Sequence, residues 1–128
     1  MELNFRQIND LTEVFDTLKD KELPFKLSLL IAKNSAMLAK ETEFYIEQER
    51  AFAQKYLQTD ENGQFIQTEP GIFKIIEGKE QECQEARAEL NKFTADVALR
   101  MIPVSLIEDL NFTPKQLEAM ELIIDEEG

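Results

Sequence analysis

An amphipathic helix is the first element that the pattern of apolar and polar positions predicts. After Asp10, apolar residues recur at the i, i+3, i+4 and i+7 spacing that puts them on one helix face. They are Leu11, Val14, Phe15 and Leu18. Asp10 and Glu13 resemble a capping box, so we predict helix A over residues 10–21, within a first segment (residues 1–23) that opens with a short strand at 2–5.

A much longer helix, helix B, is predicted over residues 24–57. This segment contains no glycine and no proline after Pro24, and its apolar residues recur as adjacent pairs every seven residues. The pairs are Leu30/Ile31, Met37/Leu38, Phe44/Tyr45 and Ala51/Phe52. On a helical wheel they flank Asn34, Glu41 and Gln48, which gives a seam with apolar edges and a polar middle. A small core cannot cover a helix this long, so helix B is expected to need a partner helix.

Turn chemistry separates helix B from the next helix. Asn62-Gly63 is typical of a β-hairpin, and Pro70-Gly71 fits a type II turn, so we predict a β-hairpin within residues 58–77. Helix C is predicted over 79–94, in the segment 78–96, and its narrow apolar seam suits pairing with one long helix. An antiparallel register through the turn places Arg87 near Gln48.

The last segment, residues 97–128, combines a strand and a helix. Alternating apolar residues predict a strand at 97–102 that breaks at Pro103, and Thr113-Pro114 marks the start of helix D, which runs to about Asp125. The predicted fold is mainly α, of the α+β class, in a single domain of residues 1–128. It is a long antiparallel, coiled-coil-like helical hairpin with a β-hairpin at its tip and a small base of short helices and strands.

Composition excludes several classes of function. The 128 residues include 26 acidic and 14 basic side chains, for a net charge of -12, which argues against binding to a nucleic-acid backbone. The absence of histidine removes His-based acid–base and nucleophilic chemistry and most zinc sites. The single cysteine excludes an internal disulfide framework, and no signal peptide or membrane span is recognised, so a cytoplasmic protein is expected.

The negative charge is concentrated near the C-terminus. Residues 107–128 carry seven acidic residues and one lysine, whereas helix B carries five basic and four acidic residues. We predict the seven acidic residues as a partner-binding set, with plain solubility as the other interpretation. They are Glu108, Asp109, Glu118, Glu121, Asp125, Glu126 and Glu127.

Catalytic and cofactor chemistry has little support. Glu41 is the one candidate carboxylate that does not lie on a solvent-facing side of a helix. We favour a role in which Glu41, with Asn34 and Gln48, fixes the register between paired helices, over acid–base catalysis. Cys83 lacks a histidine to activate it and is interpreted as a buried structural thiol. We predict no catalytic residue, no metal ligand and no cofactor.

Three lysines recur every seven residues along helix B. They are Lys26, Lys33 and Lys40. One interpretation is a basic stripe for an anionic partner. The other, which we favour here, is pairing with acidic residues of helix C that also recur every seven residues. Those residues are Glu82, Glu89 and Asp96.

Several short stretches carry a resemblance to known proteins. They are residues 23–27 (LPFKL) leading into 31–34 (IAKN), 55–57 (KYL), 60–63 (DENG) and 110–114 (LNFTP). In this order they resemble a family of small uncharacterised phage and prophage proteins. The resemblance implies a phage origin and an interaction role, and it supplies no catalytic residues.

These observations favour a non-enzymatic protein–protein interaction module. We expect a phage-encoded accessory protein in the host cytoplasm that binds a host or phage protein, or itself as a homo-oligomer, without direct binding to nucleic acid or membrane. Two alternatives stay open. One is an acidic inhibitor that mimics nucleic acid against a host nucleic-acid-binding or defence enzyme. The other is a virion assembly or scaffolding protein.

Overall fold

The fold is mainly helical and of the α+β class, as predicted. A computed structural model describes residues 1–127. The helices are α1 (Phe5–Leu18), α2 (Phe25–Tyr56), α3 (Glu80–Asn91) and α4 (Pro114–Met120), with short 3-10 turns at Val104–Leu106 and Glu121–Ile123. The strands are β1 (Glu2–Asn4), β2 (Gln67–Glu69), β3 (Ile72–Phe73), β4 (Thr94–Asp96), β5 (Ile102–Pro103) and β6 (Ile124–Asp125).

The described chain divides into two compact units. Unit 1 comprises residues 1–43 and 94–127, and unit 2 comprises residues 44–93. The first part of α2 belongs to unit 1 and the second part belongs to unit 2. That the two units form a single domain stays a prediction.

Unit 1 holds most of the buried apolar side chains. Strand β1 pairs antiparallel with β4, which places Leu3 opposite Ala95, and β5 pairs parallel with β6. Helix α1 packs against α4 and buries one face of six apolar side chains. They are Phe5, Ile8, Leu11, Val14, Phe15 and Leu18. Burying each such side chain contributes about 1.5–3 kcal/mol, so this face anchors the unit.

Helix α1 begins earlier than predicted because a stronger cap precedes it. The Asn4 side chain accepts a hydrogen bond from the Gln7 amide at 2.8 Å, and the Gln7 side chain accepts one from the Asn4 amide at 2.9 Å. This reciprocal capping box satisfies two otherwise unpaired amides and starts the helix at Phe5. The predicted start at Asp10 is therefore wrong by about one and a half turns.

Unit 2 contains the second part of α2, the antiparallel pair β2–β3 and α3. Gly63 and Gly71 adopt positive φ angles, 77° and 82°, but Asn62 does not, so only Pro70-Gly71 has the backbone that its predicted turn requires. The Asp60 side chain accepts hydrogen bonds from the amides of Asn62 and Gln64, which fixes the first turn. Among the described residues of unit 2, only Tyr56 and Cys83 are buried apolar side chains.

The region after α3 differs from the predicted helix C and strand. The helix ends at Asn91 rather than at residue 94, because Thr94–Asp96 becomes extended and pairs with β1. The strand predicted over 97–102 is reduced to β5 at its far end. Helix α4 starts at Pro114 as predicted. The Thr113 hydroxyl accepts a hydrogen bond from the Gln116 amide at 3.1 Å, and the Gln116 side-chain oxygen accepts one from the Thr113 amide at 2.9 Å.

Candidate interaction surface

Asn34, the first polar residue of the predicted seam, is fully buried in unit 1. Its amide nitrogen donates to the Arg100 carbonyl at 3.0 Å, and its side-chain oxygen accepts from the Arg100 amide at 2.8 Å. The side chain therefore pairs with an extended backbone segment as a neighbouring strand would. This role is structural, because both hydrogen-bonding groups of the Asn34 amide are used inside the protein.

The other two residues of the predicted seam do not share this environment. Glu41 is half-buried and Gln48 is exposed. Gln48 lies in unit 2, on the wall of a groove that Phe44, Phe52 and Leu90 also line. The structure thus does not bury the three polar residues as one continuous seam.

The predicted acidic partner-binding residues all lie in unit 1, on its surface. Asp125 is half-buried and accepts a hydrogen bond from the Glu127 amide at 3.1 Å, whereas the other six residues of the set are exposed. Glu118 and Glu121 share one surface depression with Arg6 and Lys115, so the charge there is mixed. The structure brings together these two glutamates of the set.

A charged and aromatic cluster in unit 2 was not predicted. The Arg87 guanidinium makes a two-pronged ion pair with the Glu49 carboxylate, with one N–O distance of 3.0 Å. The same guanidinium lies 4.2 Å from the centroid of the Phe52 ring. The predicted register placed Arg87 near Gln48, one residue from its actual partner. This cluster joins the second part of α2 to α3.

The cluster shifts the ionisation of its members. The hydrogen bond from Arg87 is the main reason that the pKa of Glu49 lies below its ordinary value of 4.5. Burial, followed by the charge of Glu49, raises the pKa of the Tyr45 hydroxyl. The hydrogen bond from Glu49 raises the pKa of Arg87, which stays positively charged.

We predict that Glu49→Gln lowers the stability of unit 2 at neutral pH. A depressed carboxyl pKa contributes stability that is present above the unfolded value of 4.5 and lost as the pH falls through the folded value. The difference between parent and variant should therefore shrink below pH 4.5. Urea unfolding followed by tyrosine fluorescence, from neutral to acidic pH, measures it. A constant difference across this range would show that the pair adds no pH-dependent stability, and Glu47→Gln on the same helix is the control.

An exposed apolar stripe runs along the first part of α2, and the sequence patterns did not identify it. Its residues alternate in steps of four and three, which places them on one helix face. They are Phe25, Leu29, Ala32, Ala36 and Ala39, and all are exposed. Phe25 is 81% exposed and Leu29 is 40% exposed. The alternating spacing was the signal that could have revealed this stripe.

The stripe faces away from the side of α2 that is buried in unit 1. The buried side consists of Leu27, Ile31, Asn34 and Leu38. Since helix positions advance by 100° per residue, the mean directions of the two sets lie roughly opposite each other. The first part of α2 is therefore apolar on two faces, of which unit 1 covers one.

A groove of about 440 Å³ lies beside the stripe, within unit 1. Ala32, Ala36 and Ala39 form part of its wall, and Leu18 and Leu23 lie on its lining as well. The hydroxyl of Ser35, on the same lining, is shielded from solvent and has no hydrogen-bond partner in the described part of the chain. The stripe is thus continuous with a second apolar surface.

Unit 2 also exposes large apolar side chains. They are Phe44, Ile46, Phe65, Ile72, Phe73 and Phe93. Two pairs of them form ring contacts, Phe44 with Phe93 at 5.5 Å between centroids and Phe65 with Phe73 at 6.3 Å. With two buried apolar residues among its described residues, unit 2 leaves much of its apolar surface in water.

Neither a metal-binding cluster nor a membrane-spanning helix is found in residues 1–127. No group of three acidic or cysteine side chains lies close enough together to hold a metal ion, and none of the helices is long and apolar enough to cross a membrane. In comparisons with known proteins, no family model, curated protein or solved structure matches the chain.

Proposed function

We propose that this chain is a non-enzymatic protein–protein interaction module that acts through the exposed stripe of α2. The observation that carries the proposal is that the first part of α2 is apolar on two faces and that unit 1 covers one of them. Single exposed apolar residues are ordinary on protein surfaces, whereas a contiguous exposed stripe is typical of a surface that another molecule covers.

The size of the stripe favours a reversible complex. Full burial of a Phe or Leu side chain contributes about 1.5–3 kcal/mol, and a micromolar complex needs about 8 kcal/mol net. Phe25 is 81% exposed and Leu29 40% exposed, so these two side chains alone contribute less than a micromolar complex needs, and the alanines and the adjacent groove must add to them. A permanent complex would bury a larger apolar area.

The proposal includes a phage-encoded accessory protein that works in the host cytoplasm, as the resemblance of residues 23–34 and 110–114 implies. It also includes a helical hairpin in unit 2, formed by the second part of α2 and by α3, with β2–β3 at its tip. The contacts Phe44–Phe93 and Glu49–Arg87 support this hairpin, because the higher residue number on α2 meets Arg87 within α3, whereas the lower one meets Phe93, just after the end of α3.

Capture from a bacterial lysate tests the proposed function. The full chain and an Ala36→Arg variant are immobilised, and the captured proteins are identified and quantified by mass spectrometry. Because a long charged side chain in the middle of the stripe blocks close approach, we expect at least one captured protein to fall by about tenfold or more with Ala36→Arg.

Ala88→Arg is the matched control, since it adds the same side chain to another exposed alanine, on α3. Both variants should keep the far-ultraviolet circular dichroism of the parent. If every protein that the parent captures is retained equally by Ala36→Arg, the stripe is not a binding surface. A chain that doubles its mass in sedimentation, and becomes monomeric with Ala36→Arg, would identify the partner as a second copy.

A second candidate function is an acidic inhibitor that mimics nucleic acid. It is favoured by the exposure of six of the seven acidic residues predicted for partner binding, and by the absence of ion pairs to this set among residues 1–127. In the same capture experiment, this second function predicts that a basic enzyme is captured equally well by the parent chain and by the Ala36→Arg variant. That capture should disappear in about 0.5 M NaCl, because salt screens contacts between exposed charges.

A further inference from the structure

The exposed stripe of α2 lies in a part of the chain that has the opposite charge to the rest. Residues 23–40 contain no acidic residue, and no other run without one is as long in a chain that carries 26. The same run contains Lys26, Lys33 and Lys40. Each lysine directly follows a residue of the stripe, namely Phe25, Ala32 and Ala39, so the three lysines follow one edge of it.

The three lysines do not form the ion pairs with acidic residues of this chain that the sequence predicts. Among the described residues, none of the three forms an ion pair. Of the acidic residues expected to pair with them, Glu89 lies 3.8 Å from Lys92, and the Asp96 carboxylate accepts a hydrogen bond from the Met1 amine at 2.8 Å. The favoured interpretation, pairing of helix B lysines with acidic residues of helix C, therefore lacks support.

We propose that the stripe binds an amphipathic helix of a partner protein whose apolar face is bordered by Asp and Glu side chains. This inference rests on the proposed function and names the chemistry of the partner. In paired helices, the residues that border the apolar seam select partners by charge, so a lysine at about every second turn of the edge favours acidic residues across from it. Such pairs discriminate between partners more than they add affinity.

The stripe also sets the size of the partner's apolar side chains. Three of its five residues are alanines, and small side chains allow the axes of two helices to approach closely. The partner is therefore expected to carry large residues such as Leu, Ile or Met opposite Ala32, Ala36 and Ala39. Phe25 and Leu29 then cover one end of the contact.

A second copy of the chain fits this surface less well. In an antiparallel pair, the lysine edges of the two copies would face each other. In a parallel pair, the lysines would face the opposite edge of the stripe. Ser28, Ser35 and Thr42 on that edge are uncharged, and the charges beside Ser35 and Thr42 are mixed, Asp16 and Glu43 with Lys19. A net charge of -12 on each copy adds a general repulsion.

Two designed peptides test the proposal with the full chain. Both are 28-residue amphipathic helices with Leu at the seam positions, and one carries Glu at the bordering positions where the other carries Lys. Fluorescence anisotropy of the labelled peptides measures binding. We expect the Glu-bordered peptide to bind about tenfold more tightly than the Lys-bordered one, and this preference to weaken in about 0.5 M NaCl.

Variants of the chain locate the binding and its charge preference. Ala36→Arg should weaken the binding of the Glu-bordered peptide by about tenfold or more, whereas Ala88→Arg should leave that binding unchanged. The double variant Lys26→Glu and Lys40→Glu, two exposed positions, should reverse the preference between the peptides.

Equal binding of both peptides, no binding of either, or binding that Ala36→Arg leaves intact would overturn the proposal. If a lysate protein still depends on Ala36 while the peptides fail, the proposed function stands and the acidic-helix partner is wrong.

Discussion

Replacing Asn34 with alanine is expected to lower the free energy of unfolding by about 3 kcal/mol, because it leaves two backbone groups of Arg100 without partners. Each unsatisfied buried group costs about 1–3 kcal/mol, and the small cavity left by the amide adds to this. Two such groups give about 2–6 kcal/mol, and because Arg100 itself is exposed, water can partly satisfy them and the total falls in the lower half of that range. Urea unfolding at neutral pH measures the change, and it is followed by circular dichroism because unit 1 contains no tyrosine.

Two further variants separate the hydrogen bonds from the loss of volume. Asn34→Asp keeps an oxygen that can accept from the Arg100 amide but faces the Arg100 carbonyl with a second oxygen. It should be destabilised at neutral pH and partly recover in acid, where a protonated carboxyl can donate. Gln48→Ala, on the exposed face of the same helix, should stay within about 0.5 kcal/mol of the parent. A comparable effect at both positions would mean that the Asn34–Arg100 pairing contributes little.

The amide hydrogens of α3 are expected to exchange with solvent at least about 100-fold faster than those on the buried face of α1. Helix α1 buries six apolar side chains, whereas Cys83 is the one buried residue of α3. Local opening free energy follows the apolar contacts that an opening breaks, so α3 opens at lower cost. Hydrogen exchange followed residue by residue on the native protein measures the ratio.

The Glu49–Arg87 pair provides the control for this second prediction. Arg87→Met removes the ion pair and most of the contact with Phe52, so it should accelerate exchange in α3 further. Exchange in α1 should change by less than about twofold, since α1 belongs to the other unit and has no part in the ion pair. Equal protection of α1 and α3 would show that the sparse core of unit 2 is as stable as that of unit 1.

Local rules of sequence explain the parts of the fold that could be predicted. The spacing of apolar residues indicates a long helix over residues 24–57, and α2 spans Phe25–Tyr56. The capping chemistry of Thr113 and Pro114 indicates the start of α4. The start of α1 was misplaced because two capping boxes compete, and Asn4 with Gln7 adds Phe5 and Ile8 to the buried face where Asp10 with Glu13 does not.

The parts that could not be predicted depend on distant partners. The heptad pattern predicts Asn34 in a polar seam between helices, yet Asn34 binds the backbone of Arg100, 66 residues away, and backbone groups leave no pattern in the sequence. The stripe from Phe25 to Ala39 does not stand out in the sequence, because the denser pattern of Leu, Ile and Met lies on other faces of the same helix. Alanine is compatible with both buried and exposed positions, so only the structure shows that these alanines are exposed.

The positions of the two tyrosines allow intrinsic fluorescence to follow one unit of the protein without an added label. Tyr45 and Tyr56 both lie in unit 2, and the chain contains no tryptophan. Intrinsic fluorescence therefore reports on residues 44–93 alone, whereas circular dichroism averages over every helix. Titrations in which the two signals separate would display the unfolding of unit 2 directly. A melting curve from fluorescence alone would describe unit 2, and one from circular dichroism alone would describe the average over both units.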